Sequence, residues 1–298
     1  MIGISIAGFD PSGGAGIIED MKTFHSLGIH GTSAITALTA QNPEKVFSLI
    51  PINVEYIEEQ IDSIFEGYGE YISYGKTGML YSTEIIKVVA KKIKEYNIDV
   101  VVDPVMVASA GGSLLKEKEK GTKVEEREKE AQQLKKEQKS KEAQQLKEEQ
   151  KSKEEIAKSL KKYLLPQSLI TTPNISEAEI ISGIEIKTTE DAKEAAYKIG
   201  KIANVIITGG HLNGVNTIFD KSADEIKIIK KPLFETKNVH GSGCSFSAAL
   251  AGYMIKRNNL SESIQKALDF VELAIKDGRY GTLNPSHIDF EKWISPKI

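Results

Sequence analysis

The chain opens with a three-part unit that leaves few folds available to it. A short apolar run, Ile2–Ala7, leads into a glycine-rich turn, Gly8–Gly16. A helical pattern follows in which Ile17, Met21, Phe24 and Leu27 share one face, and Gly28 stands where helices commonly stop. The same order recurs. Val54–Phe65, Thr83–Tyr96, Thr189–Ile202, Gly243–Lys256 and Ser261–Lys276 have helical periodicity, whereas Ile98–Val102 and Val205–Thr208 read as buried strands. Strands separated by helices predict an α/β fold with a mostly parallel central sheet covered on both faces. Ligands of such sheets bind beyond the carboxyl ends of the strands. With 298 residues, the chain can form one large α/β domain or two modest ones.

One segment departs from this order. Residues 116–155 are almost entirely Lys, Glu and Gln, and they contain a tandem repeat, Glu130–Lys141 followed by Glu142–Lys153. These residue types favour helix, and Glu→Lys pairs four apart (Glu119/Lys123, Glu125/Lys129, Glu137/Lys141, Glu149/Lys153) reinforce it. Apolar positions are too few for a coiled-coil seam. One helix over Lys123–Lys153 would run roughly 45 Å. The segment reads as a charged, helix-forming insertion that is solvated and without catalytic role, or as a contact for a subunit or partner.

The rest of the composition narrows function by exclusion. A net charge of −3 gives no general attraction to nucleic acid or to membrane surfaces, and neither is expected as a partner. Cys244 is the single cysteine, so no internal disulfide forms, and a reducing, cytoplasmic setting is expected. The first residues lack a basic leader, and no apolar run approaches the ~20 residues of a membrane span.

Four stretches carry possible chemistry. In Gly8-Phe-Asp-Pro-Ser-Gly-Gly-Ala-Gly16 the glycines let backbone N–H groups approach a ligand, although a tight strand-to-helix turn would use them equally well. The spacing fits neither the dinucleotide fingerprint nor a P-loop. Asp103-Pro-Val-Met106 follows a buried strand and places a carboxylate where it could reach a Mg²⁺–phosphate group; Asp-Pro is also an ordinary turn. In Thr172-Pro-Asn-Ile-Ser-Glu-Ala-Glu179, Asn174 and Glu177 have the spacing of a helix cap, Ser176 and Glu179 that of a capping box, and the stretch alone favours capping. His240-Gly-Ser-Gly-Cys-Ser-Phe-Ser247 opens a helix with small residues, a backbone anion site. Cys244 would lie in that positive field, which would lower its pKa; a small buried residue at a turn is the plainer alternative.

Together these stretches resemble the hydroxymethylpyrimidine and phosphomethylpyrimidine kinases of thiamine biosynthesis, within the ribokinase-like superfamily. The resemblance rests on Ile6–Gly16, Ile35–Asn42, Asp103–Met106 and His240–Cys244, with support from Lys76-Thr-Gly-Met-Leu80, Leu164-Leu-Pro166 and Gly209-Gly-His211. It implies one ribokinase-like domain over 1–298, a three-layer αβα sandwich interrupted by the 116–155 insertion. It further implies transfer of a phosphoryl group from ATP, with Mg²⁺, to 4-amino-5-hydroxymethyl-2-methylpyrimidine and to its monophosphate, and a homodimer. By the resemblance, Gln41 bonds the pyrimidine edge, with Gly8, Asp10, Ala15, Asp20, Met79 and Val105 about the same pocket. Gly241, Ser242, Gly243 and Cys244 form the anion hole, with Cys244 as base or positioning group. Asn174, Glu177, Thr208, Gly210 and His211 serve ATP, and Asp103 and Glu177 serve Mg²⁺.

Several positions depart from the family pattern. Phe9 replaces a usual Ser or Thr, Thr208 a frequent Lys, and Ser109 and Gly112 a more usual Lys and Asp. Phe9 motivates pyridoxal kinase activity as the rival enzyme, and the missing lysine at Thr208 motivates a non-catalytic sensor of pyrimidine or thiamine precursors.

Overall fold

A computed structural model describes residues 1–106, 147–210 and 212–286. Apolar runs that alternate with amphipathic segments produce a nine-stranded sheet in the order β3-β2-β1-β4-β5-β6-β7-β8-β9. Its strands are β1 (Ile2–Phe9), β2 (His30–Asn42), β3 (Lys45–Pro51), β4 (Ile72–Thr77), β5 (Asp99–Val102), β6 (Ile170–Thr171), β7 (Val205–Ile207), β8 (Val215–Asp220) and β9 (Glu225–Lys230). From β2 through β7 neighbouring strands are parallel; β3, β8 and β9 join as antiparallel hairpin partners.

Helices cover both faces. On one lie α1 (Gly16–Ser26), α7 (Ser242–Ile255) and α8 (Leu260–Lys276), which join Phe24, Phe246, Leu250 and Ile264 with Val101 and Ile206 of the sheet. On the other lie α2 (Val54–Tyr68), α3 (Thr83–Glu95), α4 (described over 147–159), α5 (Ile175–Ser182) and α6 (Thr189–Gly200). Ile57, Ile61 and Phe65 of α2 pack there with Ile4, Ile6 and Val102. Their spacing of four is what fixes the buried stripe of α2, and Asn53 begins the helix by accepting from Tyr56 N–H. The result is the expected three-layer αβα arrangement.

The boundaries teach where periodicity is a weak guide. Helix α2 continues three residues beyond Phe65, to Tyr68. The strands β2, β3, β4, β6, β8 and β9 escaped the reading by apolar runs, β6 because it is only two residues long. β2 and β3 alternate exposed and covered positions, and β9 is an edge with mostly exposed residues, so none forms a continuous apolar run. The box expected at Ser176/Glu179 is absent. Asn174 and Glu177 form it instead, and Glu179 accepts from Ile186 N–H. The charged repeat lies largely outside the described residues; its last part, from 147 onward, is helical.

Candidate active site

The carboxyl ends of β1, β2, β4 and β5 meet around a cavity of about 220 Å³ lined by residues from four of the motifs. Gly8, Asp10, Ala15, Gln41, Met79, Val105 and Cys244 are all among its walls, together with Phe9, Thr39, Val46 and His240. Phe9 therefore does shape this space. Gln41 Oε1 accepts from the Thr39 hydroxyl at 3.0 Å, and the same hydroxyl lies 3.0 Å from Phe9 O. That contact fixes the amide and leaves its NH₂ as the free donor toward the cavity.

A second cavity, about 400 Å³, lies on the other side of the Gly241–Cys244 turn. Asn174, Thr208, Gly210, Ser242 and Gly243 line it, and an apolar wall comes from Leu233, Phe234, Leu268, Val271 and Ile275. Sequence reading missed that wall because its residues are scattered over a loop and α8, where apolar side chains read as ordinary core. His211 lies outside the described residues.

The turn itself is a consequence of glycine. Gly241 has φ +88°, and a Cβ there would stand 1.6 Å from Gly14 O. Helix α7 starts immediately after it, so the N–H groups at its start have no intrahelical partners, and among them Ser242 N–H donates to Val239 O at 3.1 Å. Ser242 and Gly243 border one cavity and Cys244 the other.

Beneath this turn is a buried charge cluster. Lys76, wholly buried on β4, donates to Asp20 at 2.8 and 3.0 Å and lies 3.8 Å from Asp103. Ser5 also donates to Asp20, at 2.6 Å. Burial alone would lower the pKa of Lys76, but Asp20, Cys244 and Asp103 hold it above its ordinary value, so it stays protonated. Burial raises Asp20 and Asp103 in spite of Lys76. Asp20 is thus not a wall of the 220 Å³ cavity; it lies buried with Lys76 as the counter-ion of a structural pair. Lys76 itself had been recognised only as part of a motif, because a lysine in a strand gives no sign of which acid it will meet.

Cys244 corrects a second expectation. The helix start and Lys76 favour a thiolate, and Gly16 N–H bonds to the sulfur. Burial beside Asp103 and Asp20 wins and pushes the thiol up to about 12. Glu177 is pushed up to about 8, first by burial and then by the charge of Asp103, while its bonds with Asn174 oppose the rise. Asn174 and Glu177 complete a reciprocal capping box at 2.9 and 3.0 Å, the capping role their spacing favours. Asp103 accepts from Ser247 at 3.1 Å.

Among the described residues, no group of three or more His, Cys, Asp or Glu could hold a metal ion. Asp103 and Glu177, near enough for the charge of Asp103 to raise the Glu177 carboxyl, are the sparse carboxylates with which a hydrated Mg²⁺ beside substrate phosphates is compatible. No helix among the described residues is long and apolar enough to cross a membrane.

The chain is 36% identical to the hydroxymethylpyrimidine/phosphomethylpyrimidine kinase of Bacillus subtilis, over 92% of this chain and 89% of that one. Among solved structures, the fold resembles a phosphomethylpyrimidine kinase from Clostridium difficile (33% identity, TM-score 0.66, covering 92% of this chain and 99% of that one). It also resembles an ADP complex of Bacillus subtilis pyridoxal kinase (32% identity, TM-score 0.74, covering 93% and 92%). The family profile described as phosphomethylpyrimidine kinase matches residues 10–132 and 143–285, most of the sequence, and the chain belongs to that family.

Proposed function

We propose that the protein phosphorylates 4-amino-5-hydroxymethyl-2-methylpyrimidine with ATP, and then phosphorylates the monophosphate, giving the diphosphate used in thiamine biosynthesis. One observation carries the reading: a backbone anion site stands between a small cavity that suits a single ring and a larger one that suits a nucleotide. Similarity to kinases named for both activities supports it.

In this reading the alcohol cavity holds the pyrimidine, with the Gln41 amide bonding a ring nitrogen or the exocyclic amine. Gly8, Asp10, Ala15, Met79 and Val105 enclose the ring. The first turn of α7, from Gly241 through Ser242 and Gly243 to Cys244, offers N–H groups and the helix dipole to the phosphoryl group in transit. Asn174, Thr208 and Gly210 border the ATP cavity. Bound Mg²⁺ would neutralise phosphate charge, and Asp103 and Glu177 are the residues to hold it. A thiol whose proton is held up to about 12 is a poor base in the free protein, so Cys244 acts by orienting the hydroxymethyl group. Phosphoryl transfer asks mainly for alignment and charge stabilisation, which this arrangement supplies.

The same reading takes 1–298 as one kinase domain with 116–155 as an insertion, in a cytoplasmic homodimer. Exposed Leu38 and Ile50, cross-strand partners on the β2–β3 hairpin at one edge of the sheet, support the dimer as an apolar spot that a second copy could cover. Light scattering tests it.

Pyridoxal phosphorylation is the second reading, favoured by Phe9 in the cavity wall and by the likeness to a pyridoxal kinase. The deciding experiment measures ADP release with Mg-ATP and, separately, the hydroxymethylpyrimidine, its monophosphate and pyridoxal. Highest kcat/KM on the pyrimidines supports the first reading, and highest on pyridoxal supports the second. ATP turnover on none of them, by protein that binds pyrimidine, would support a sensor.

A further inference from the structure

Asp10 and His240 are 230 residues apart and meet at 2.9 Å, Nε2 to Oδ2. Asp10 is nearly fully buried, and its carboxylate organises the whole glycine-rich turn. It accepts from Ser12 N–H (2.8 Å), the Ser12 hydroxyl (2.9 Å) and Ala15 N–H (3.0 Å). Burial alone would raise this carboxyl, yet the bonds from His240 and Ser12 hold it below the usual carboxylate range. His240 is the residue immediately before the anion-binding turn, and its backbone bridges Thr282 beyond α8.

The contact between the two turns is rigid as well as polar. Gly14 has no room for a Cβ, which would stand 2.5 Å from the His240 ring, and a Cβ on Gly241 would collide with Gly14 O. Backbone therefore rests on backbone, and one turn cannot shift without the other. Both Asp10 and His240 also line the 220 Å³ cavity, while Ser242 and Gly243, just downstream, line the 400 Å³ cavity. An occupant of the first cavity touches the pair; an occupant of the second touches the turn that the pair anchors.

We propose that the Asp10–His240 pair is a pin that couples filling of the alcohol cavity to alignment of the anion-binding turn, making both residues positioning residues. The proposal rests on the kinase reading given above. Each ligand then tightens binding of the other, by linkage, and the pin carries that coupling.

Calorimetry tests it directly, with hydroxymethylpyrimidine titrated into protein in the presence and absence of AMP-PCP and Mg²⁺. The wild type should bind the pyrimidine about tenfold more tightly when the nucleotide analogue is present. His240→Phe keeps a ring but removes the bond to Asp10. It should bind each ligand alone within about threefold of wild type, lose the tightening, and show a KM for each substrate about tenfold higher than wild type at a saturating level of the other. His240→Gln, whose amide can donate to Asp10, should recover much of the tightening, a rescue that separates the pin from general damage. Undiminished tightening in His240→Phe would overturn the proposal, as would a wild type that binds and phosphorylates the pyrimidine with no tightening. A wild type that neither binds nor phosphorylates the pyrimidine would overturn the kinase reading, and this proposal with it. Should His240→Phe fail to fold by circular dichroism, Asp10→Asn is the second variant, and the same loss of tightening is expected of it.

Discussion

The two cavities beside the Gly241–Cys244 turn are built in opposite ways. The smaller is walled by residues at the ends of parallel strands, and its polar members are fixed in place: Gln41 by Thr39, Asp10 by Ser12, Ala15 and His240. The larger takes much of its wall from α8 and from the chain after β9, and that wall is mostly apolar, with the Lys231–Glu272 ion pair as its charged part. A site that must discriminate one small ring and align one hydroxyl needs immobile polar groups. A site for the nucleotide can take most of its affinity from apolar contact and leave orientation to the phosphates. Four substitutions can break or sharpen this contrast.

The largest effect is expected at the boundary. Cys244→Ala should lower kcat by about 10²-fold with little change in the KM for ATP, since Cys244 orients the hydroxymethyl group and lines only the alcohol cavity. Steady-state kinetics on the pyrimidine checks this, and a KM effect confined to ATP would contradict the division of the site.

Next comes the support beneath the smaller cavity. Lys76→Met leaves Asp20 and Asp103 buried without their cation, and should destabilise the fold by about 3–5 kcal/mol in urea unfolding. A loss under 1 kcal/mol would mean that the carboxyls are already neutral.

Glu19 of α1 tests the same packed face through pH. It is fully buried, neither carboxyl oxygen has a hydrogen-bond partner, and Lys22 lies 3.8 Å away. Burial pushes it from its ordinary 4.5 up to about 8; Asp20 adds to the rise and Lys22 opposes it. The folded protein then binds this proton more tightly than the unfolded chain. Stability from this group is full below about pH 4.5 and is lost as pH climbs toward 8. Glu19→Gln should therefore be more stable than wild type by about 2 kcal/mol or more at pH 9 and nearly equal to it at pH 4, as read from thermal unfolding.

The smallest effect belongs to the apolar wall. Phe234→Ala should raise the KM for ATP about tenfold and leave that for the pyrimidine within twofold. A matching rise in both would show that the cavities are not independent.

The same contrast explains what was legible in the sequence. The smaller site could be read because short motifs make it. Glycines that permit φ +88° at Gly241, and close approach at Gly14, are required at fixed positions and leave a pattern. The strands β1, β5 and β7 could be read because burial on both faces makes them nearly continuously apolar. The larger site was invisible, since Leu268 and Ile275 sit on α8 as any core residue would. Long-range pairing was hidden too. Nothing local marks Lys76 as the partner of Asp20, or His240 as that of Asp10. For Cys244 the place at a helix start is visible in the sequence, whereas the burial and neighbouring acids that keep it a thiol belong to the fold.

Phosphorus NMR of the products made from hydroxymethylpyrimidine and Mg-ATP tests the account most directly. A phosphate monoester signal that appears first and gives way to a pyrophosphate ester is predicted, with both forming about 10²-fold more slowly in Cys244→Ala. Inorganic phosphate beside ADP, with no phosphate ester of the pyrimidine, would mean that water, and not the hydroxymethyl group, stands at the anion-binding turn, and would contradict the account.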